Sequence, residues 1–308
     1  MTPPKIYGLI GYPVKHSLSP AMHNAAFNYL KRNGEINYDA EYRLFEVIPD
    51  RLEGFLLNSN EIFKDTNNNS IRAADVLGFN ITIPRKVRAK EILEKKFPFP
   101  DNFYVNVSGA VNTVKRNGDK LDYDNTDASG FRAALKRDLK FDPKGKNVLI
   151  IGCGGAGRAI IAALSYMLGI INIYINDISS EAMDSAEKHF KQIPALDRHT
   201  KLKFIGYKEM PSIIRGCHLL VNATPMGMKE NDGSVIDKDL LYKGLYVYDV
   251  VYNRQTQLIK DAREKGCIAK EGLGMLLYQG VRSFEIFTGK TAPIEIMRQA
   301  LNETVNKL

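Results

Sequence analysis

The first constellation in this sequence that could do chemistry is GFNITIPRK, residues 78–86. A lysine follows a proline there, and an amide and a hydroxyl precede it two residues apart. In a strand, alternate residues share a face, so Asn80, Thr82 and Pro84 line one side and Phe79, Ile81 and Ile83 the other. Asn80 and Thr82 then form a polar wall suited to a hydroxylated ligand, with Lys86 where the next helix begins. Taken alone, Lys86 reads more readily as a solvated surface charge, with Asn80 and Thr82 satisfying backbone groups. It does not stand alone. HSLSP (16–20) places Ser17 and Ser19 before a helix, where hydroxyls and free N–H groups can bind a carboxylate. GAVNT (109–113) and YDNTD (123–127) add Asn112 and Asp127, and VVYN (250–253) and GLGMLLYQG (272–280) add Tyr252 and Gln279.

A second signal is GCGGAG, residues 152–157. It satisfies G-x-G-x-x-G with Gly152, Gly154 and Gly157, enclosing Gly155 and Ala156. Its context is the required one: a buried strand before, a helix after, and a second strand ending in an acid. Gly152 permits the tight turn, Gly154 lets backbone approach a pyrophosphate, and Gly157 lets helix pack on strand. Asp177 follows Gly152 by about 25 residues, near the spacing of a ribose-binding acid. A carboxylate there accepts from both ribose hydroxyls and repels a 2′-phosphate. The competing reading is a glycine-rich turn with no ligand.

The elements that must position these groups alternate. Strands are expected at 5–12, 38–47 and 78–83, and helices at 19–34, 49–60 and 86–97, with Ser19 as the N-cap of the first helix. Residues 64–70 read as a polar loop, and 109–127 as a hairpin turning at Asn117-Gly118. After a helix at 127–139, NVLII (147–151) opens a βα alternation, with later strands at 171–177, 201–207, 217–224 and 244–252. Two helices close the chain. The fold class is α/β with two domains: an N-terminal α/β domain and a Rossmann-like, doubly wound parallel sheet.

Composition excludes several classes. The chain has 308 residues and a net charge of +8, with Lys and Arg spread rather than clustered with aromatics, which argues against a nucleic-acid binder. Cys153, Cys217 and Cys267 are far apart and odd in number, so reduced thiols in a cytoplasm are expected rather than disulfides or zinc. No metal spacing is evident, and the apolar region 147–175 is interrupted by the glycine run, so no membrane span is expected. His16 and His23 are expected to make structural hydrogen bonds. His189, His199 and His218 are scattered.

In order, HSLSPAMHN, FNITIPRK, GAVNT, DNTD, GCGGAGRA, NATPMGM, VVYN and GLGMLLYQG resemble the shikimate dehydrogenases across essentially the whole chain, and more closely their shikimate/quinate dehydrogenase relatives. The resemblance implies reversible hydride transfer between a nicotinamide cofactor and shikimate, and quinate in some members. It implies Lys86 and Asp127 as the catalytic pair, and Ser17, Ser19 and Tyr252 on the substrate carboxylate. Asn80, Thr82, Asn112 and Gln279 would bind ring hydroxyls. Cofactor contacts would come from the glycine loop, Asn176, Asp177, Thr224, Pro225, Val250, Asn253 and Gly272. The implied domains are 1–126 for substrate, 127–271 for NAD(P), and 272–308 as helices returning to the first. A cytoplasmic monomer or homodimer with a small-molecule substrate is expected, without nucleic-acid or membrane partners.

Two departures matter. NADP-using members carry an arginine after the asparagine that ends the second cofactor-domain strand, whereas this chain has Asn176-Asp177, so NAD is expected over NADP. Arg85 stands where relatives more often carry an uncharged residue, and clean alternation up to Pro84 favours its pointing away from the site. The polar stretch 61–72 reads as an insertion. The alternatives are a catalytically silent ligand sensor of the same fold and another two-domain dehydrogenase, such as a folate-linked one. Retention of Lys86 with Asp127, and of the Ser-x-Ser motif, weighs against both.

Overall fold

The computed structural model describes residues 3–82, 84–98, 102–193, 196 and 200–307, so Ile83 and His199 lie outside the described residues. The chain forms two compact units, Met1–Thr126 with Leu277–Leu308, and Asp127–Leu276.

The first unit contains β1 (Lys5–Gly11), α1 (Ser19–Arg32), β2 (Ala40–Glu46), α2 (Leu52–Leu57), β3 (Ile62–Lys64), β4 (Ser70–Arg72), β5 (Val76–Ile81), α3 (Lys86–Lys96), α4 (Phe103–Ser108), β6 (Thr113–Asn117) and β7 (Lys120–Asp124). Its sheet runs β2-β1-β5-β6-β7, parallel across the first three strands and antiparallel across the rest. The interior strand β1 is buried from Ile6 to Gly11, as a strand covered on both faces must be. Phe45, Phe55, Phe79, Val111 and Val114 fill one side of the sheet. Arg116 donates to the carbonyls of Phe55, Leu56 and Val76, covering the end of α2; burial lowers its guanidinium pKa to about 10.

Three local readings need correction. Ser19 is not the N-cap of α1. Leu18 holds that position, and Ser19 is the first helical residue, its N–H donating to Ser17 Oγ at 3.3 Å. The insertion is not all loop: β3 and β4 pair antiparallel around a turn at 65–69. Buried Asp65 builds that turn, accepting from the N–H groups of Asn67 and Asn69 and from Asn69 Nδ2, each at 2.9 Å. His23 makes no structural hydrogen bond: both ring nitrogens are buried without partners, and the ring stacks on Tyr42 at 4.2 Å. Burial pulls its pKa down to about 3, so the imidazole is neutral and acts as a flat apolar surface.

The second unit holds α5 (Thr126–Arg137, from its second residue), β8 (Lys146–Ile151), α6 (Gly155–Ser165), β9 (Ile170–Asn176), α7 (Ser180–Lys191), β10 (Lys201–Phe204), α8 (Met210–Ile213), β11 (Leu219–Asn222), β12 (Tyr246–Asp249), α9 (Gln257–Glu264) and β13 (Ile268–Glu271). Its sheet is wholly parallel, ordered β10-β9-β8-β11-β12-β13, which is the doubly wound dinucleotide-binding order. Val148, Leu149 and Ile150 are fully buried at its centre. The edge strand β13 escaped the sequence reading because IAKE has no apolar run. Two helices, α10 (Leu273–Thr288) and α11 (Ile294–Val305), carry the chain back into the first unit. Among the described residues, no helix is long and apolar enough to cross a membrane, and no group of three or more His, Cys, Asp or Glu could hold a metal ion.

Candidate active site

In the first unit the expected ligand-facing groups gather at the carboxyl ends of β1 and β5 and the start of β6. Gly11 ends β1 against Thr82, where an added Cβ would come within 2.2 Å of the threonine methyl. The carbonyl of Lys86 accepts from Val111 N–H at 2.9 Å, which seats the first residue of α3 beside the GAVNT segment. Lys86 is 8% exposed and Asn112 2%. Ser17 and Ser19 stand at the start of α1, whose first turn carries no acid, so its field favours an anion.

Asn80 departs from the expected wall of ligand contacts, because its amide is engaged by the protein. Oδ1 accepts from Tyr42 Oη at 2.7 Å. Nδ2 has three acceptors: Thr113 Oγ1 at 2.9 Å, Ser283 Oγ at 3.1 Å and the Asn112 carbonyl at 3.3 Å. Asn112 is oriented as firmly. Its Oδ1 accepts from Thr126 N–H at 2.7 Å and from Thr113 Oγ1 at 3.0 Å. A backbone N–H can only donate, so this atom is the oxygen, and Nδ2 donates to Thr126 Oγ1 at 3.1 Å. Ser283 donates to the Gln279 carbonyl at 2.6 Å. Tyr42, Thr113, Thr126 and Ser283 were not singled out from sequence; only Ser283, one helical turn beyond Gln279, carried a spacing signal.

Arg85 also differs from expectation. β5 ends at Ile81, and Arg85 already has helical torsions (φ −98°, ψ −5°) as the N-cap of α3, so strand alternation does not reach it. The side chain is 3% exposed, with Nε and Nη1 buried and unpartnered, and burial lowers its pKa. A buried guanidinium with two unpartnered nitrogens is destabilising.

In the second unit, Asp127 occupies the first turn of α5, where the helix field stabilises a carboxylate. The Tyr252 phenol is pushed up, first by burial and then by the Asp127 charge, although its ring as a whole is half-buried. The glycine loop fits a dinucleotide. Gly152 has φ +101°, and a Cβ on Gly157 would lie 2.1 Å from the Gly152 carbonyl. A Cβ on Gly154, by contrast, would meet nothing within 4 Å, leaving open room over the start of α6. That helix has neither a side-chain cap nor an acid in its first turn. Half-buried Asp177 leans on the loop, accepting from Cys153 N–H at 2.8 Å and Ser179 N–H at 3.0 Å.

Not every expected cofactor residue offers its side chain. The Asn176 amide donates to the Ile205 carbonyl at 2.8 Å and fixes the end of β9. Thr224 Oγ1 donates to Asn222 Oδ1 at 2.7 Å, shaping the turn before exposed Pro225. Asn253 Oδ1 is buried without a partner, an acceptor available to a ligand N–H. Gly272 passes so close to Val250 that a Cβ would lie 2.1 Å from its carbonyl.

Comparison with known proteins bears directly on this arrangement. The shikimate dehydrogenase substrate binding domain matches residues 9–114, and the shikimate 5′-dehydrogenase C-terminal domain matches residues 272–301. Over 303 residues the chain is 36% identical to a protein of Methanopyrus kandleri named shikimate dehydrogenase (NADP(+)), covering 97% of this chain and 95% of that one. The chain belongs to the shikimate dehydrogenase family. Among solved members, shikimate 5-dehydrogenase from Listeria monocytogenes, in complex with shikimate and NAD, superposes with a TM-score of 0.77 at 31% identity, covering 97% of this chain and 96% of that one. Quinate dehydrogenase from Corynebacterium glutamicum, in complex with NAD, gives a TM-score of 0.79 at 28% identity, covering 97% and 99%.

One buried acid beside these family motifs titrates unusually. Asp249, fully buried at the end of β12, accepts from Asn222 Nδ2, Val251 N–H and Thr256 Oγ1, linking the NATPMGM and VVYN segments. Burial, partly offset by these bonds, raises its pKa to about 6. A raised carboxyl binds its proton more tightly in the folded state. Its contribution therefore favours folding below the unfolded pKa and is lost as pH rises through about 6, by up to about 3 kcal/mol. Asp249→Asn is expected to remove this dependence: the difference in melting temperature between variant and wild type should move in the variant's favour from pH 4 to 8. A flat difference would refute the assignment.

Proposed function

We propose that this protein is a nicotinamide-dependent shikimate dehydrogenase that interconverts shikimate and 3-dehydroshikimate, accepts quinate as well, and prefers NAD to NADP. The supporting observation is that Lys86, Asn80, Asn112 and Ser283 are all buried in the first unit, with the Lys86 carbonyl bonded to Val111 beside Asn112 and Asn80 bonded to Ser283, in a chain of this family. When bound, the cofactor supplies the hydride acceptor for alcohol oxidation. Lys86 Nζ takes the hydroxyl proton in that direction and returns it in reduction, with Asp127 as its charged partner. Ser17, Ser19 and Tyr252 hold the substrate carboxylate. Thr82, Asn112 and Gln279 hold ring hydroxyls, Asn112 as donor, while Asn80 orients its neighbours.

The glycine loop, the start of α6 and Asp177 would hold the cofactor, with Thr224, Pro225, Val250, Asn253 and Gly272 around it. Quinate differs from shikimate by ring saturation and one hydroxyl, a change one polar pocket can tolerate. Steady-state kinetics with shikimate and quinate, each with NAD and NADP, test the reading. Turnover with shikimate is expected in both cofactors. Silence in all four combinations would favour a ligand sensor instead.

A further inference from the structure

We infer that Ser283 is a positioning residue, holding the substrate-binding amide of Asn112 through one buried hydrogen-bond knot in the first unit. The inference rests on the proposed function and adds residues that take no direct part in it.

The knot is continuous and directional. Asn80 Nδ2 donates to the Asn112 backbone carbonyl at 3.3 Å, which can only accept, so the nitrogen end of that amide is fixed and Tyr42 Oη donates to Oδ1 at 2.7 Å. Asn80 Nδ2 then donates toward Thr113 Oγ1 and Ser283 Oγ. Ser283 passes its own hydrogen to the Gln279 carbonyl, 2.6 Å away and one turn earlier in α10. Thr113 donates to Asn112 Oδ1, and Thr126 Oγ1 lies 2.9 Å from Thr113 Oγ1 and 3.5 Å from Ser283 Oγ.

Four parts of the chain thus share one knot: β2 through Tyr42, β5 through Asn80, the GAVNT–DNTD pair through Asn112, Thr113 and Thr126, and α10 through Ser283. Every member is buried: Thr113, Thr126 and Ser283 at 0%, Tyr42 and Asn112 at 2%, Asn80 at 5%. With so little water access, removing one hydroxyl leaves its partners to reorient rather than rehydrate. The amide at the far end of the chain of bonds, Asn112, then loses its fixed direction.

Ser283→Ala and Tyr42→Phe each delete one oxygen at opposite ends of the knot and leave every substrate-binding group in place. Each variant is expected to raise KM for shikimate by about tenfold and to leave kcat within about threefold, because misdirected binding groups weaken the hold on the ring. The double variant is expected to fall well short of the product of the two, since both act through Asn80. Amide hydrogen exchange supplies a readout independent of turnover: Thr126 N–H, bonded to Asn112 Oδ1 at 2.7 Å, should exchange faster in both variants. An unchanged KM, independent effects in the double variant, or unaltered exchange at Thr126 would overturn the inference. If the wild-type protein turns over neither shikimate nor quinate, the proposed function falls, and the exchange measurement alone decides whether the knot holds Asn112.

Discussion

Replacing Lys86 by alanine is expected to lower turnover by about two to four decades while leaving cofactor affinity unchanged. Hydride cannot leave the carbinol carbon without the hydroxyl proton departing, and among the residues proposed to face the substrate from the first unit Lys86 is the one that carries an amine to exchange it. Serine, threonine and amide side chains orient but do not take up protons in that range. The position is also controlled. Lys86 opens α3, is 8% exposed, and its carbonyl is tied to Val111. Alanine keeps that backbone bond, because the carbonyl belongs to the main chain, so folding should survive and the loss should fall on kcat. Cofactor titration by fluorescence provides the control. A variant whose turnover stays within about threefold of wild type would remove Lys86 from the proton path.

Cofactor choice carries the second large effect: catalytic efficiency with NAD is expected to exceed that with NADP by about one to two decades. A 2′-phosphate beside the Asp177 carboxylate meets like charge, worth about 4 kcal/mol at contact distance in a surface environment before salt and side-chain movement reduce it. Asp177 is not free to swing away without loss, because its two oxygens hold Cys153 N–H and Ser179 N–H. Asp177→Asn should narrow the ratio by removing the charge while keeping one acceptor. The Methanopyrus relative carries NADP(+) in its name, so the measurement separates this chain's own residue from its family's habit. A ratio favouring NADP in the wild-type protein would contradict the argument.

The parts of the molecule legible in its sequence are those where one local pattern implies one shape. A continuous apolar run followed by GCGGAG can be little other than a buried strand entering a tight turn, and β8, its loop and α6 follow that reading. The 109–127 hairpin was legible for the same reason, with Gly118 at φ +60° in its turn. What resisted reading depends on partners distant along the chain. Asn80 has the same sequence signature whether it faces a ligand or a serine 203 residues away. The direction of Arg85 rested on strand alternation continuing past Ile81, and a helix start intervenes. The cap of α1 moved by one residue because Ser17, not Ser19, supplies the accepting oxygen. The turn at 65–69 looked like featureless polar chain until burial of one carboxylate gave it a centre.

The first unit is built from both ends of the polypeptide. On the ribosome, its sheet emerges early, yet α10 and α11 arrive only after the whole second unit has been made. Until then Tyr7 and Phe27 lack Phe287 and Phe284, whose rings later pack on them at 5.6 and 4.9 Å. The order of synthesis and the order of completion are therefore opposed: the later unit can close first, while the earlier one waits with apolar surface open, the state in which nascent chains most need a chaperone.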